Sequence, residues 1–142
     1  AKTLFPYTTL FRSPEAGTKL LLRNHVSFDE IIQGRGTKEH VDTLVHFVNM
    51  AEALAHLQLG RDWLEEIGEA QDAIYAMAQR GVSGKKFLFT GEEMNAVRQI
   101  LELHDEQLRN CPVRVMEEAL ELIAKNLHHN KMRKIEPLEV TA

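Results

Sequence analysis

The feature that most constrains this chain is a stripe of apolar side chains at helical spacing in residues 38–59. Apolar residues that recur every three or four positions lie on one face of an α-helix. In this segment they are Val41, Leu44, Val45, Val48, Ala51, Ala55 and Leu59. Thr37 is placed to cap the start of the helix, and Gly60 to end it. A helix with such a face needs apolar neighbours, so the pattern predicts a helical fold.

Three later segments repeat the pattern and supply those neighbours. They are residues 62–80, residues 91–110, and a stretch that begins after Pro112 and frays near Met132. Gly81 is predicted to end the first, and a capping box formed by Thr90 and Glu93 to open the second. Their apolar faces are Trp63, Ile67, Ala70, Ile74, Met77 and Ala78; Val97, Ile100, Leu101, His104 and Leu108; and Val115, Met116, Ala119, Leu120, Ile123 and Leu127.

The segment before residue 38 is predicted to form a shorter helical region that is interrupted. Residues 20–26 are largely apolar, but Ser27 and Glu30 have the spacing of a capping box, which indicates a break near Ser27. Connections between the helices are short, which favours antiparallel neighbours. The predicted fold is therefore all-α: an antiparallel up-and-down helical bundle of four main helices plus a short broken N-terminal helix. It forms one domain over residues 17–135, followed by a flexible tail of residues 136–142.

The N-terminal residues are predicted not to belong to the natural protein. Residues 3–13, TLFPYTTLFRS, correspond codon for codon to one reading frame of an adapter oligonucleotide used in short-read DNA sequencing. Eleven consecutive matching residues make this a specific signal. We therefore expect residues 1–16 to be a non-native, disordered leader and the native start to be missing.

Charge and cysteine content limit the functions that the chain can have. Residues 14–124 hold 11 basic and 19 acidic residues, a net charge of −8 that disfavours broad nucleic-acid binding. The one cysteine, Cys111, cannot form an intrachain disulfide, in keeping with a cytoplasmic protein. No apolar run approaches the length of a membrane-spanning helix, so we expect no membrane span.

Two features are candidates for contact with a protein partner. Phe87 and Phe89 lie in a β-compatible segment, residues 85–89, and share one side if that segment is extended. They either close one end of the bundle or pair with a second subunit or a partner edge. His104 lies within an apolar face; it is either a core histidine hydrogen-bonded by a facing helix or an interface residue. As a satisfied core residue, it should tolerate replacement by Leu within about 1.5 kcal/mol.

No arrangement of residues indicates catalysis, a cofactor or a metal ion. Asp42 with His46 and Glu52 with His56 have helical ligand spacing, but all four fall opposite the apolar stripe and are expected to be solvated. Cys111 has no base that the sequence can assign to it. We therefore expect no enzyme activity, no cofactor and no metal.

A short basic segment near the C-terminus is the candidate for contact with nucleic acid. Its cations are Lys125, Lys131, Arg133 and Lys134. Four phosphate contacts would give a log–log salt slope of about −3.6. The alternative is a solvated helix end, where cations also suit the helix dipole.

Several stretches from Leu20 onward resemble a group of small helical proteins from proteobacterial genomes, phages and plasmids. The stretches are RNHVSFDEIIQGRGT, VDTLVHFVNMAEAL and LELHDEQL, and the resemblance covers residues 18–135. Some members are described as Fis-like transcriptional regulators, but the group provides no catalytic or binding residues to carry over. A regulator also needs a helix-turn-helix, and the acidic start of the third helix does not suit one.

Together these observations favour a non-enzymatic bacterial or phage-borne accessory protein. It is expected to act through protein–protein contacts, with another protein or with itself as a homodimer. The alternative is a nucleic-acid-binding transcriptional regulator that uses the basic C-terminal segment.

Overall fold

The computed structural model describes residues 14–128, with side chains described for residues 19–126, and this part of the chain is all-helical. No strand occurs in it, which confirms the predicted all-α class. The five α-helices are α1 (Pro14–Ile32), α2 (Lys38–His56), α3 (Leu64–Val82), α4 (Gly91–Arg109) and α5 (Val113–His128). A single 3-10 turn, Arg61–Trp63, leads into α3.

Helix α1 is neither short nor broken, so that part of the prediction is wrong. It runs for 19 residues through Ser27, the position of the expected break. Asn24 and Ser27 are buried together with Phe28 and Ile31, which gives one face at three- and four-residue spacing. These two polar residues interrupt the apolar pattern of the buried face, so the sequence predicts a break in the helix although the helix is continuous.

The two predicted threonine caps are confirmed. Thr37 accepts a hydrogen bond from the amide of His40, whose Nδ1 accepts from the Thr37 amide at 3.0 Å. Thr90 and Glu93 form the same reciprocal arrangement at the start of α4, with the Thr90 amide donating to Glu93 at 2.8 Å. Each box satisfies donors that a helix N-terminus leaves free.

Several helix ends differ from the prediction. Helix α2 ends at His56 rather than at residue 59, because Gln58 adopts a positive φ of 79° two residues before Gly60, which has φ 108°. Gly81 does not end α3 but lies inside it. Leu120, expected on the buried stripe of α5, is 47% exposed.

Helix α2 is the centre of the domain. It packs against α1, α3, α4 and α5, whereas α5 has Cα atoms within 8 Å of α2 and of no other helix in residues 14–128. One apolar cluster fills the space between α1, α2, α3 and α4, and a second joins the later part of α2 to α5. The position of α5 on a single neighbour leaves the space between α5 and α3 open.

Some expectations lie outside the described residues. These are the adapter-derived leader up to residue 13, the fraying near Met132 and the tail of residues 136–142. Residues 14–16, assigned to the leader by the sequence, form the start of α1. None of the helices within residues 14–128 combines the length and apolar character needed to cross a membrane.

Candidate functional site

His104 lies in a buried hydrogen-bond network between α4 and α2. Its side chain is 2% exposed, and its Nδ1 lies 2.9 Å from Oε1 of Gln107, one turn along the same helix. The Gln107 amide nitrogen donates to the carbonyls of Ala51 (3.0 Å) and Leu59 (2.7 Å). The ring of Phe47 packs against the imidazole with centroids 5.6 Å apart. The network ties the end of α4 to α2 and to the turn that follows it.

These contacts fix the protonation of His104. Because the Gln107 nitrogen is used by two carbonyls, its oxygen faces the imidazole, and Nδ1 must carry the hydrogen that it donates. Burial lowers the pKa of His104 from 6.5 to about 4, although the Gln107 hydrogen bond and nearby Asp105 oppose the shift. The imidazole is therefore neutral at pH 7 and enclosed, which suits a structural role.

The next residue, Asp105, faces a different partner. Its Oδ2 lies 2.7 Å from Nε2 of His25 on α1, so it forms no dyad with His104. Its Oδ1 is buried and has no hydrogen-bond partner within the described residues. His25 is 44% exposed, which leaves the pair at the rim of the α1–α4 contact. The pair could not be predicted from the sequence because its members are 80 positions apart.

Phe87 and Phe89 pack against the main apolar cluster rather than projecting from it. Both are half-buried, and the Phe89 ring lies 5.9 Å from the ring of Phe28. Phe87 lies directly over Gly81, where any Cβ would collide with its ring. Leu88, between them, is the exposed residue at 42%. The two rings and the enclosed His104 therefore do not share one exposed face.

Polar contacts of Arg80 hold residues 87–89 in place. Arg80 donates to the Leu88 carbonyl at 2.8 Å and to Oε2 of Glu93 at 3.0 Å. Burial opposes ionisation of Glu93, but the hydrogen bonds from Arg80 and Thr90 keep its pKa below the ordinary value. The ion pair thus connects the end of α3 with the start of α4.

A groove lies over α2, between α3 and α5, and we call it the α2 groove. Its volume is about 650 Å³, within the range of small-ligand sites. Apolar side chains form most of its lining: Val45, Val48, Ala53, Leu57, Ile74, Leu122 and Ile123. Its polar groups include the amides of Asn49 and Gln71, which bond each other at 3.2 Å.

Glu52 is the acidic group in the α2 groove. It is partly buried, and no hydrogen bond or ion pair engages its carboxylate within residues 19–126. The lining contains no described lysine or arginine, and His56 at one end is exposed. The sequence had assigned Glu52 and His56 to the solvated face and missed that α3 and α5 rise on either side of them.

The other predicted groups are not gathered into a site. Lys125 is exposed on α5, whereas Lys131, Arg133 and Lys134 lie outside the described residues. Asp42 and His46 are exposed beside a shallower cavity between α1 and α2, and the described residues hold no cluster suited to a metal ion. Burial raises the pKa of the Cys111 thiol to about 11, so the thiolate nucleophile is scarce at neutral pH.

The sequence analysis did not single out Gln107, and it predicted that Glu52 is solvated. Gln107 lies three positions after His104, so its place on the same helical face was available as a signal. Glu52 is distinguished only by the positions of α3 and α5 around it. No protein-family model, curated protein or solved structure matches this chain, so its function is inferred from its own residues.

Proposed function

We propose that this chain is a non-enzymatic, cytoplasmic accessory protein of bacterial or phage origin that acts by binding another protein or a second copy of itself. The α2 groove is the contact surface. One observation carries the proposal: an apolar groove about 650 Å³ in volume contains a partly buried carboxylate that the described chain leaves unpaired. Concave apolar surfaces with a few polar groups are where binding sites concentrate.

The other candidate residues support a binding role over catalysis. His104 is neutral, buried and committed to Gln107, so it is poorly placed to exchange protons with a substrate. Cys111 is buried with a raised pKa, which opposes a nucleophilic role. Neither residue lines the α2 groove.

The proposal includes an antiparallel up-and-down arrangement of α1 to α4, with α5 as an additional outer helix. Arg80, near the end of α3, pairs with the first turn of α4. Phe28, late in α1, contacts Phe89 just before α4, so the end of α1 lies near the start of α4. These contacts support opposite directions for the helices of each pair, and α5 then forms the free wall of the groove.

Site-specific photo-crosslinking tests the contact surface. A photoreactive amino acid at His56 or Asn126, both exposed at the groove, is expected to give discrete higher-mass adducts in a bacterial host. The same residue at Gln99 or Glu102, exposed on α4 and away from the groove, should give none. Light scattering after size exclusion shows whether an adduct is a second copy. Adducts at α4 but none at the groove would refute the proposal.

The basic C-terminal segment supports a second candidate function, nucleic-acid binding by a regulator. Lys125 is exposed near the end of α5, and Lys131, Arg133 and Lys134 follow it in the sequence. The acidic body would oppose such binding. Titration of labelled duplex DNA at increasing salt tests it: a log–log slope near −3.6 is expected if all four cations contact phosphate.

A further inference from the structure

The α2 groove has the length and direction of a helix. Four of its lining residues, Val45, Asn49, Glu52 and His56, follow one line along α2 at three- and four-residue spacing. Eleven positions of helix correspond to about 16 Å, or three turns. A second helix laid along this line would therefore meet the groove over about three turns of its own length.

The walls of the groove match the apolar face of such a helix. Ile74 of α3 lies on one side, and Leu122 and Ile123 of α5 lie on the other. An amphipathic helix binds a groove through apolar residues at positions i, i+3, i+4 and i+7. Packed helix axes are about 8–10 Å apart, so a helix between two walls can bury its apolar face against all three elements.

The charge of the groove selects the polar residue of that helix. Glu52 is partly buried and has no partner among residues 19–126, and no described lysine or arginine lines the groove. A carboxylate shielded on its sides by apolar walls favours a cation more than an exposed one does. The net charge of −8 over residues 14–124 adds a long-range attraction for the same sign of partner.

We infer that the partner is an amphipathic helix of another protein that carries a lysine or arginine within its apolar face, placed to pair with Glu52. This inference rests on the proposed function and names its partner class. The cation would lie about one turn from apolar residues on each side, which contact the Ile74 and the Leu122–Ile123 walls. A helix with an acidic residue at that position would be rejected.

Two labelled peptides test the inference directly. One is a 14-residue amphipathic helix of Leu and Lys with one additional Lys at the centre of its Leu face, and the other replaces every Lys by Glu. Fluorescence anisotropy measures their affinity for the full chain, and NMR shifts of the Asn49 and Gln71 side-chain amides report occupation of the groove. The Leu/Lys peptide is expected to bind and to shift both amides, and the Leu/Glu peptide to do neither.

Variants of Glu52 separate a local pair from general attraction. Glu52→Gln should lower the affinity for the Leu/Lys peptide about fivefold. Glu52→Lys should lower that affinity more than tenfold and should give measurable affinity for the Leu/Glu peptide. Glu102→Gln and Glu102→Lys, the same charge changes at an exposed position of α4, should alter either affinity less than twofold.

Equal losses for the Glu52 and Glu102 variants would overturn the inference, as would peptides that leave the groove amides unshifted. If groove positions still give photo-crosslinked adducts in that case, the proposed contact surface remains and only the basic-helix partner is rejected. If those positions give no adducts, the proposed function fails by its own measurement.

Discussion

Two neighbouring residues of α2, Ala51 and Glu52, differ in how their polar groups are bonded. The carbonyl of Ala51 receives a hydrogen bond from Gln107 in a buried network that also satisfies His104. Glu52, the next residue, faces the α2 groove with no partner in the described chain. On the core side the Ala51 carbonyl and the side chains of Gln107 and His104 are hydrogen-bonded to one another, whereas on the groove side the described chain leaves a carboxylate unpaired.

This difference separates stability from binding. A buried polar group that loses its partner costs free energy, because water cannot replace the lost hydrogen bond. A half-exposed carboxylate without a partner contributes little to folding, and its removal leaves nothing unsatisfied. Removal of a polar group on the core side should therefore lower the free energy of unfolding, and removal of the Glu52 charge should leave it nearly constant.

The largest expected effect is at Gln107. Gln107→Leu keeps the approximate volume but leaves the Nδ1–H of His104 and the Leu59 carbonyl without their partner. We expect a loss of about 3 kcal/mol in the free energy of unfolding. Urea melts of this variant and of Gln99→Leu, an exposed position on the same helix, measure it. Equal losses for the two variants would show that the network contributes nothing specific.

His104→Leu should cost about 2 kcal/mol at pH 7, because it leaves Oε1 of Gln107 buried without a donor. This exceeds the change of within about 1.5 kcal/mol expected from sequence, since the sequence did not identify the partner. Denaturant melts at pH 7 distinguish the two values. A neutral or stabilising result would mean that the desolvation of the imidazole outweighs its hydrogen bond.

The cost of His104→Leu should decrease on acidification. The folded-state pKa of His104, about 4, lies below the ordinary value of 6.5, so between these pH values the proton binds the unfolded chain only. Stability is therefore full above pH 6.5 and falls as the pH drops towards 4, by about 2 kcal/mol at pH 5. The wild type and the variant should then be nearly equal at pH 5. Parallel stability–pH curves for the two proteins would contradict this assignment.

The smallest expected effect on stability is at Glu52. Glu52→Gln should change the free energy of unfolding by less than about 0.5 kcal/mol, because it breaks no described contact. Glu102→Gln, on the solvated side of α4, is the matched control for loss of one negative charge. If Glu52→Gln alone destabilises the protein by more than about 1 kcal/mol, the carboxylate has a structural partner. The contrast between the core side and the groove side of α2 would then be wrong.

The apolar periodicity predicted the helices, but not how polar residues on their faces are used. Thr90 and Glu93 were recognisable because a capping box is a local pattern with fixed spacing. Ser27 has the same local pattern, yet it lies inside α1, because packing of its face against other helices outweighs the cap. Long-range contacts decide such cases, and a single sequence does not contain them.

The same limit applies to the candidate site. His104 was identifiable because a histidine interrupts an apolar stripe, but its role depends on Gln107 and on carbonyls contributed by α2. Glu52 resembles other surface acids of α2 until the outer position of α5 encloses it. The groove exists because α3 and α5 do not touch each other. Residue spacing along one helix does not indicate which helices pack together.

The contact of Phe87 with Gly81 has a consequence for recognising distant relatives of this chain. Glycine inside a helix is unfavourable by about 1 kcal/mol relative to alanine, and here the ring occupies the space that any Cβ would need. A larger residue at position 81 therefore requires a smaller one at position 87. Across homologues this pair should covary, with glycine retained wherever the aromatic ring is retained.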